Sequence, residues 1–144
     1  MSQLRYEDNF DHSNAMGVYV GPAASSLSSV APDAEAFLKK YSFLLGEQTF
    51  DGDTISEGGF AQGRVAAASV LEIGTGVDAR GNPAYRAHVL TRTADGDEGG
   101  KHHLILATVA SGKTWIFDAQ IGDKRWFKGV QQDAEGAWNS FSAL

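Results

Sequence analysis

The chain has 144 residues, 42% of them hydrophobic and 21% charged, enough for one domain with a buried core and short for two. A formal charge of −6 argues against a general nucleic-acid binder, because phosphate neutralisation needs a basic surface. Cysteine is absent, which excludes disulfides, thiolate metal sites and cysteine nucleophiles; no apolar run approaches the roughly 20 residues that cross a bilayer.

Met1 to Tyr6 carries neither the apolar segment nor the Arg/Ser-rich amphipathic stretch of a targeting peptide. Leu4 to Phe10 and Met16 to Val20 are predicted as two short strands around a polar turn at Asp11 to Asn14. Ala23 to Val30 reads as a loop of small residues. Pro32-Asp33 then opens a helix in which Ala36, Phe37, Tyr41, Leu44 and Leu45 recur at helical spacing and which Gly46 ends.

After Gly46 the apolar period changes from near 3.6 to 2. Val65, Ala67, Ser69, Leu71 and Ile73 fall on one side of a strand beginning near Arg64. Tyr85 to Thr93, Lys101 to Ala110 and Thr114 to Gln120 are predicted as three more strands, the last two joined by a tight Ser111-Gly112 turn. Phe127, Val130, Ala134, Ala137, Trp138 and Phe141 form the apolar face of a closing helix. Successive strands with one helix inserted and one at the end predict an α+β fold, an antiparallel β-sheet flanked by helices, in a single domain over residues 1–144.

Charge is unevenly spread. Lys101, Lys113, Lys124, Arg125 and Lys128 face only Asp118 and Asp123 between positions 101 and 130, a local balance of +3 that leaves −9 elsewhere. A basic flank on an acidic protein suits docking to an acidic partner. Four histidines are present, His12, His88, His102 and His103. Adjacent His102 and His103 on a strand point to opposite faces, so they do not chelate one ion together and one is expected buried while the other is exposed. Asp95, Asp97 and Glu98, like Asp51 and Asp53, lack the alternating continuation of a calcium loop and read as solvated turns. Trp115, Trp126 and Trp138 have the spacing of core residues rather than of an aromatic binding surface. Nothing in the chain has the form of a nucleophile elbow, a phosphate loop or a metal-hydrolase motif.

Five segments carry a resemblance: LRYEDNF (Leu4 to Phe10), SEGGF (Ser56 to Phe60), LTRTADGDEGGKHHLI (Leu90 to Ile105), GDKRWFKG (Gly122 to Gly129) and SFSAL (Ser140 to Leu144). In order and spacing, along nearly the whole chain, they resemble the PsbP family, the extrinsic subunit of photosystem II. The resemblance implies a PsbP-like α-β-α sandwich bound peripherally on the lumenal face of the chloroplast thylakoid membrane. There such a subunit is not an enzyme; it stabilises the manganese-calcium oxygen-evolving cluster and helps retain calcium and chloride. Implied partners are the photosystem II core and the extrinsic subunits PsbO and PsbQ, with no nucleic acid and no small-molecule substrate.

Residue by residue, the resemblance points to Arg5 and Lys101 as docking cations, and the basic flank adds Lys124, Arg125 and Lys128. His102 and Asp123 match family positions implicated in binding a divalent metal (manganese, zinc or calcium), which two protein ligands would hold weakly; no tightly bound cofactor is implied. A family docking lysine is here Asp118. Family members also carry a segment before LRYEDNF that is tied to ion retention, so the chain reads as an N-terminally shortened PsbP domain. Two other readings stay open, a PsbP-like paralogue assisting assembly of a photosystem or of the chloroplast dehydrogenase complex, and a lumenal manganese carrier.

Overall fold

A computed structural model describes residues 2–7, 15–41, 44, 66–93, 100–122 and 131–143. Alternating and β-branched stretches become six strands: β1 (Ser2–Glu7), β2 (Ala15–Ala23), β3 (Ala66–Val77), β4 (Pro83–Thr93), β5 (Lys101–Ala110) and β6 (Lys113–Gly122). They form one sheet in the order β1-β2-β6-β5-β4-β3, every pair antiparallel. Tight reversal between β5 and β6 needs two residues at positive φ, which Ser111 (54°) and Gly112 (73°) supply.

Three helices cover this sheet: α1 (Leu27–Val30), α2 (Ala34–Lys40) and α3 (Gln131–Ser140). Asp33 opens α2 by accepting a 2.8 Å bond from the Ala36 amide at Oδ1, a cap of the kind that contributes about 1 kcal/mol. On the face of α1 and α2, Phe37, Leu38 and Tyr41 pack with Tyr85, Ala87, Val89, Ile105, Ala107 and Ile116. On the opposite face Ala134 and Trp138 of α3 pack with Leu104, Leu106, Phe117, Ala119 and Ile121. Strands β5 and β6 are therefore dry on both sides over most of their length.

The expected α+β architecture is present, with three local differences. Ala23 to Val30 is more than a loop: Ala23 ends β2, and the Ser26 hydroxyl with Ser29 closes a capping box that starts α1. Helix α2 ends at Lys40 rather than Gly46, because the Tyr41 cap leaves helical geometry at φ −111° and ψ 34°; Leu45 and Gly46 lie outside the described residues. A bulge between Val70 and Glu72 breaks the strict alternation predicted for β3. It puts Val70 and Ile73 on the core side and leaves Leu71 53% exposed. Phe127 and Val130 of the expected closing helix lie outside the described residues.

Trp138 is the anchor of α3. Its indole Nε1 donates to the Ile105 carbonyl at 3.0 Å in the central strand, and the Arg86 guanidinium lies 4.0 Å from its ring centroid. Arg86 runs flat over Gly76, where a Cβ would sit 2.8 Å from Arg86 Cδ, and donates to Asn139 Oδ1 at 2.6 Å. In the turn that joins β3 to β4, two residues beyond Gly76, Asp78 accepts from the Arg80 and Asn82 amides, both at 2.9 Å, and from Asn82 Nδ2 at 3.0 Å. Burial pushes the Asp78 carboxyl upward, but these donors and the Ala143 amide hold it below its ordinary value. Trp138→Ala should cost about 3–5 kcal/mol of stability and Trp138→Phe about 1, for the lost hydrogen bond, both read from urea unfolding midpoints. The Asp78 contribution should be fully present at neutral pH and disappear only as pH falls below the ordinary carboxylate value of 3.8; an Asp78→Asn variant unfolded between pH 5 and 2 should lack that acid-dependent component.

Candidate functional site

Lys101 opens β5, half-buried, with Thr91 and Gly122 opposite it on the two neighbouring strands. Lys113, counted in the same basic segment, opens β6 opposite Ala110. At roughly 3.3 Å per residue the two lysines lie about 30 Å apart along the sheet, so Lys101 and Lys113 do not share one charged end. Arg5 stands on the edge strand β1, three strand positions from β5 and opposite Gly17. Lys124, Arg125, Lys128 and Asp123 lie outside the described residues, as do the acidic turns at Asp51, Asp53, Asp95, Asp97 and Glu98.

His102 and His103 are both buried, 4% and 1% exposed. Alternation does send them to opposite faces, but both faces are shielded from solvent at these positions, so the expectation of one exposed imidazole fails. His102 Nδ1 lies 2.8 Å from His88 Nε2, a bond in which one imidazole donates and the other accepts. His88 also meets the Trp138 ring edge-on, with centroids 6.4 Å apart. Burial, then the neighbouring charges of His102 and His103, lower the His88 pKa from 6.5 to about 4. His88 is therefore neutral at ordinary pH.

On the other face His103 turns Nε2 toward the Thr91 hydroxyl at 3.4 Å and Nδ1 toward Asp118 Oδ1 at 3.6 Å. Thr91 is 2% and Asp118 6% exposed, so the position where the family resemblance expects a docking lysine is a core position here. Hydroxyl, imidazole and carboxylate succeed one another as in a hydrolytic triad. The contacts are nevertheless longer than the roughly 2.6–3.2 Å that proton transfer needs, and each group is enclosed, out of reach of an acyl donor. Among the described residues no three His, Asp or Glu side chains are grouped to hold a metal ion.

His88, Thr91 and Asp118 were not legible as site residues. Each alternates correctly in its own strand, yet the pairings depend on registers between residues 12, 14 and 15 apart in sequence, which no local pattern specifies. A histidine on the same parity as Leu90, ahead of the HH pair, is the one hint the sequence held.

The geometry is that of an α+β sheet protein whose polar core groups are turned inward and in which Lys101 and Lys113 stand at opposite ends of β5 and β6. The chain belongs to the PsbP family, whose sequence model matches residues 2–143, and is thereby a photosystem II-associated protein of the PsbP type. Its fold is similar to the solution structure of cyanobacterial PsbP (CyanoP) from Synechocystis sp. PCC 6803, with a TM-score of 0.64 and 16% identity over 99% of this chain and 82% of that one. No helix among the described residues is long and apolar enough to cross a membrane.

The unfolded state takes up a proton at the His88 side chain near pH 6.5, whereas the folded state does so only near 4. Stability should thus fall as pH drops through this window and level off below it. With solvent screening at this half-buried ring the loss should be on the order of 1 kcal/mol. Urea midpoints at pH 7 and 4.5 should differ less in His88→Gln than in the unaltered chain.

Proposed function

We propose that this chain is a non-catalytic extrinsic subunit on the lumenal side of photosystem II, where its docked body stabilises the manganese-calcium cluster and helps retain calcium and chloride. One observation carries the reading: the family match runs through residues 2–143 and includes the uninterrupted LTRTADGDEGGKH and GDKRWFKG segments. The enclosure of Thr91, His103 and Asp118 supports a body that acts by being held rather than by reacting.

In this reading Lys101, Lys124, Arg125 and Lys128, with Arg5 on the edge strand, meet acidic lumenal surfaces of the photosystem core, with PsbO and PsbQ as neighbours in the thylakoid lumen. Surface contacts of this kind contribute about 0.2–1 kcal/mol each and are screened by salt. Replacing Lys101, Lys124 and Lys128 together with Gln should weaken binding to salt-washed photosystem II membranes by roughly 3- to 100-fold while leaving the unfolding midpoint in place. Lys113→Gln, at the far end of β5 and β6, should bind as the unaltered chain does. Equal affinity of the triple variant in a reconstitution titration would remove the docking assignment.

A divalent ion at His102 is a second reading, favoured by the 2.8 Å approach of His88 Nε2 to His102 Nδ1. The geometry fits such an ion only in part. Metal binding at His102 Nδ1 must displace its bond to His88, and the two imidazoles alone make a weak site. Calorimetric titration of the isolated chain with zinc or manganese should give no binding at low micromolar affinity. Tight binding that disappears in His102→Gln would favour the carrier over the docked subunit.

A further inference from the structure

Inside the sheet face covered by α1 and α2, His103 Nδ1 and Asp118 Oδ1 are fully buried and have no hydrogen-bond partner among the described residues. They face one another at 3.6 Å. Other buried polar side chains on these strands are satisfied directly: Thr108 Oγ1 donates to the Pro83 carbonyl at 2.9 Å and Thr114 Oγ1 to the Pro22 carbonyl at 3.1 Å. A donor and an acceptor left facing each other inside a core call for a third group, since buried polar atoms are rarely orphaned.

We propose that one water molecule is bound between His103 Nδ1 and Asp118 Oδ1 and bridges β5 to β6. A separation of 3.6 Å is too long for a good N–H···O bond and falls in the range that a shared water spans. Sheet register keeps the gap from closing. His103 stands opposite Gln120 and Asp118 opposite Ile105, so the pair is diagonal, with Cα atoms about 7–8 Å apart. Thr91 holds the other side of the ring, with its hydroxyl 3.4 Å from Nε2.

The surroundings are polar enough to keep a water. Gln120 lies on the same face, opposite His103 and two residues from Asp118 on β6. Gly17, opposite Asp118 on β2, adds no side chain to the seat, and a Cβ there would already press to 3.2 Å from the Tyr19 ring. The water accepts from His103 Nδ1–H and donates to Asp118 Oδ1, or, in the other tautomer, donates one hydrogen to each. Either way both orphaned atoms are satisfied without direct contact between imidazole and carboxylate.

Two measurements on the full chain test this. A crystal structure at about 1.2 Å resolution or better should show an ordered peak about 2.7–3.2 Å from both atoms. Nuclear Overhauser spectroscopy should show a long-lived cross-peak between water and the His103 imidazole, retained in Asp118→Asn, which keeps an acceptor oxygen, and lost in Asp118→Leu. The proposal fails if Nδ1 and Oδ1 close to a direct bond with no peak between them. It fails equally if the peak has contacts near about 2.1 Å, which would assign a metal ion, or if the cross-peak survives in Asp118→Leu. Should Asp118→Leu not fold, the density in the unaltered chain decides the matter.

Discussion

The central strands are desolvated on both faces, and most of what distinguishes this chain follows from that. Leu104, Leu106 and Ile116 have no exposed surface and Ile105 has 1%, because α2 lies over one side of the sheet and α3 over the other. In such a sheet a polar side chain cannot rely on water by alternating outward; it must find a partner within the protein. His88 and His102 answer that requirement with one another, and Thr91 with His103 Nε2, within the half of the sheet that Lys101 ends, while His103 Nδ1 and Asp118 Oδ1 are left facing each other. The same enclosure turns the adjacent histidines from a half-solvated pair into two separate buried ones.

Enclosure also bears on what kind of protein this is. The buried polar side chains face other protein groups: His88 meets His102 and the Trp138 ring, and His103 faces Thr91 and Asp118. The cations behave differently: Lys101 and Lys113 stand at opposite ends of β5 and β6, so one end can be committed to a partner while the other stays solvated. A body whose charges lie at the ends of its strands, clear of the packed core, can associate through complementarity without rearranging that core. The similarity of fold to the cyanobacterial structure at 16% identity is understandable on the same basis, since the alternation that buries two faces can be met by many apolar side chains.

α3 shows how the two covered faces are fastened. Its apolar contribution rests on Ala134 and Trp138, and Trp138 does more than fill space. Its indole reaches a carbonyl of the central strand, its face carries Arg86, and its edge meets His88. Apolar area, a hydrogen bond, a cation over the ring and a buried imidazole converge on one side chain. Gly76 gives Arg86 the room to lie flat beneath it.

How much was legible in the sequence follows from the range of each interaction. Alternation along β4, β5 and β6, the Ser111-Gly112 turn, the Asp33 helix start and the apolar spacing of Ala134, Ala137 and Trp138 are local signals, and the sequence determined them, together with the family wording that runs from LRYEDNF to SFSAL. Tertiary structure alone decided which strands are neighbours, where the bulge at Leu71 shifts the parity of β3, and that α2 stops at Lys40. It also decided that both His102 and His103 are shielded from solvent, that His88 lies against His102, and that Asp118 is a core residue. The physical reason is the same in each case: strand register and face coverage are set by contacts between segments far apart in the chain, and a side-chain pattern of period two records which residues share a face but not what lies against it.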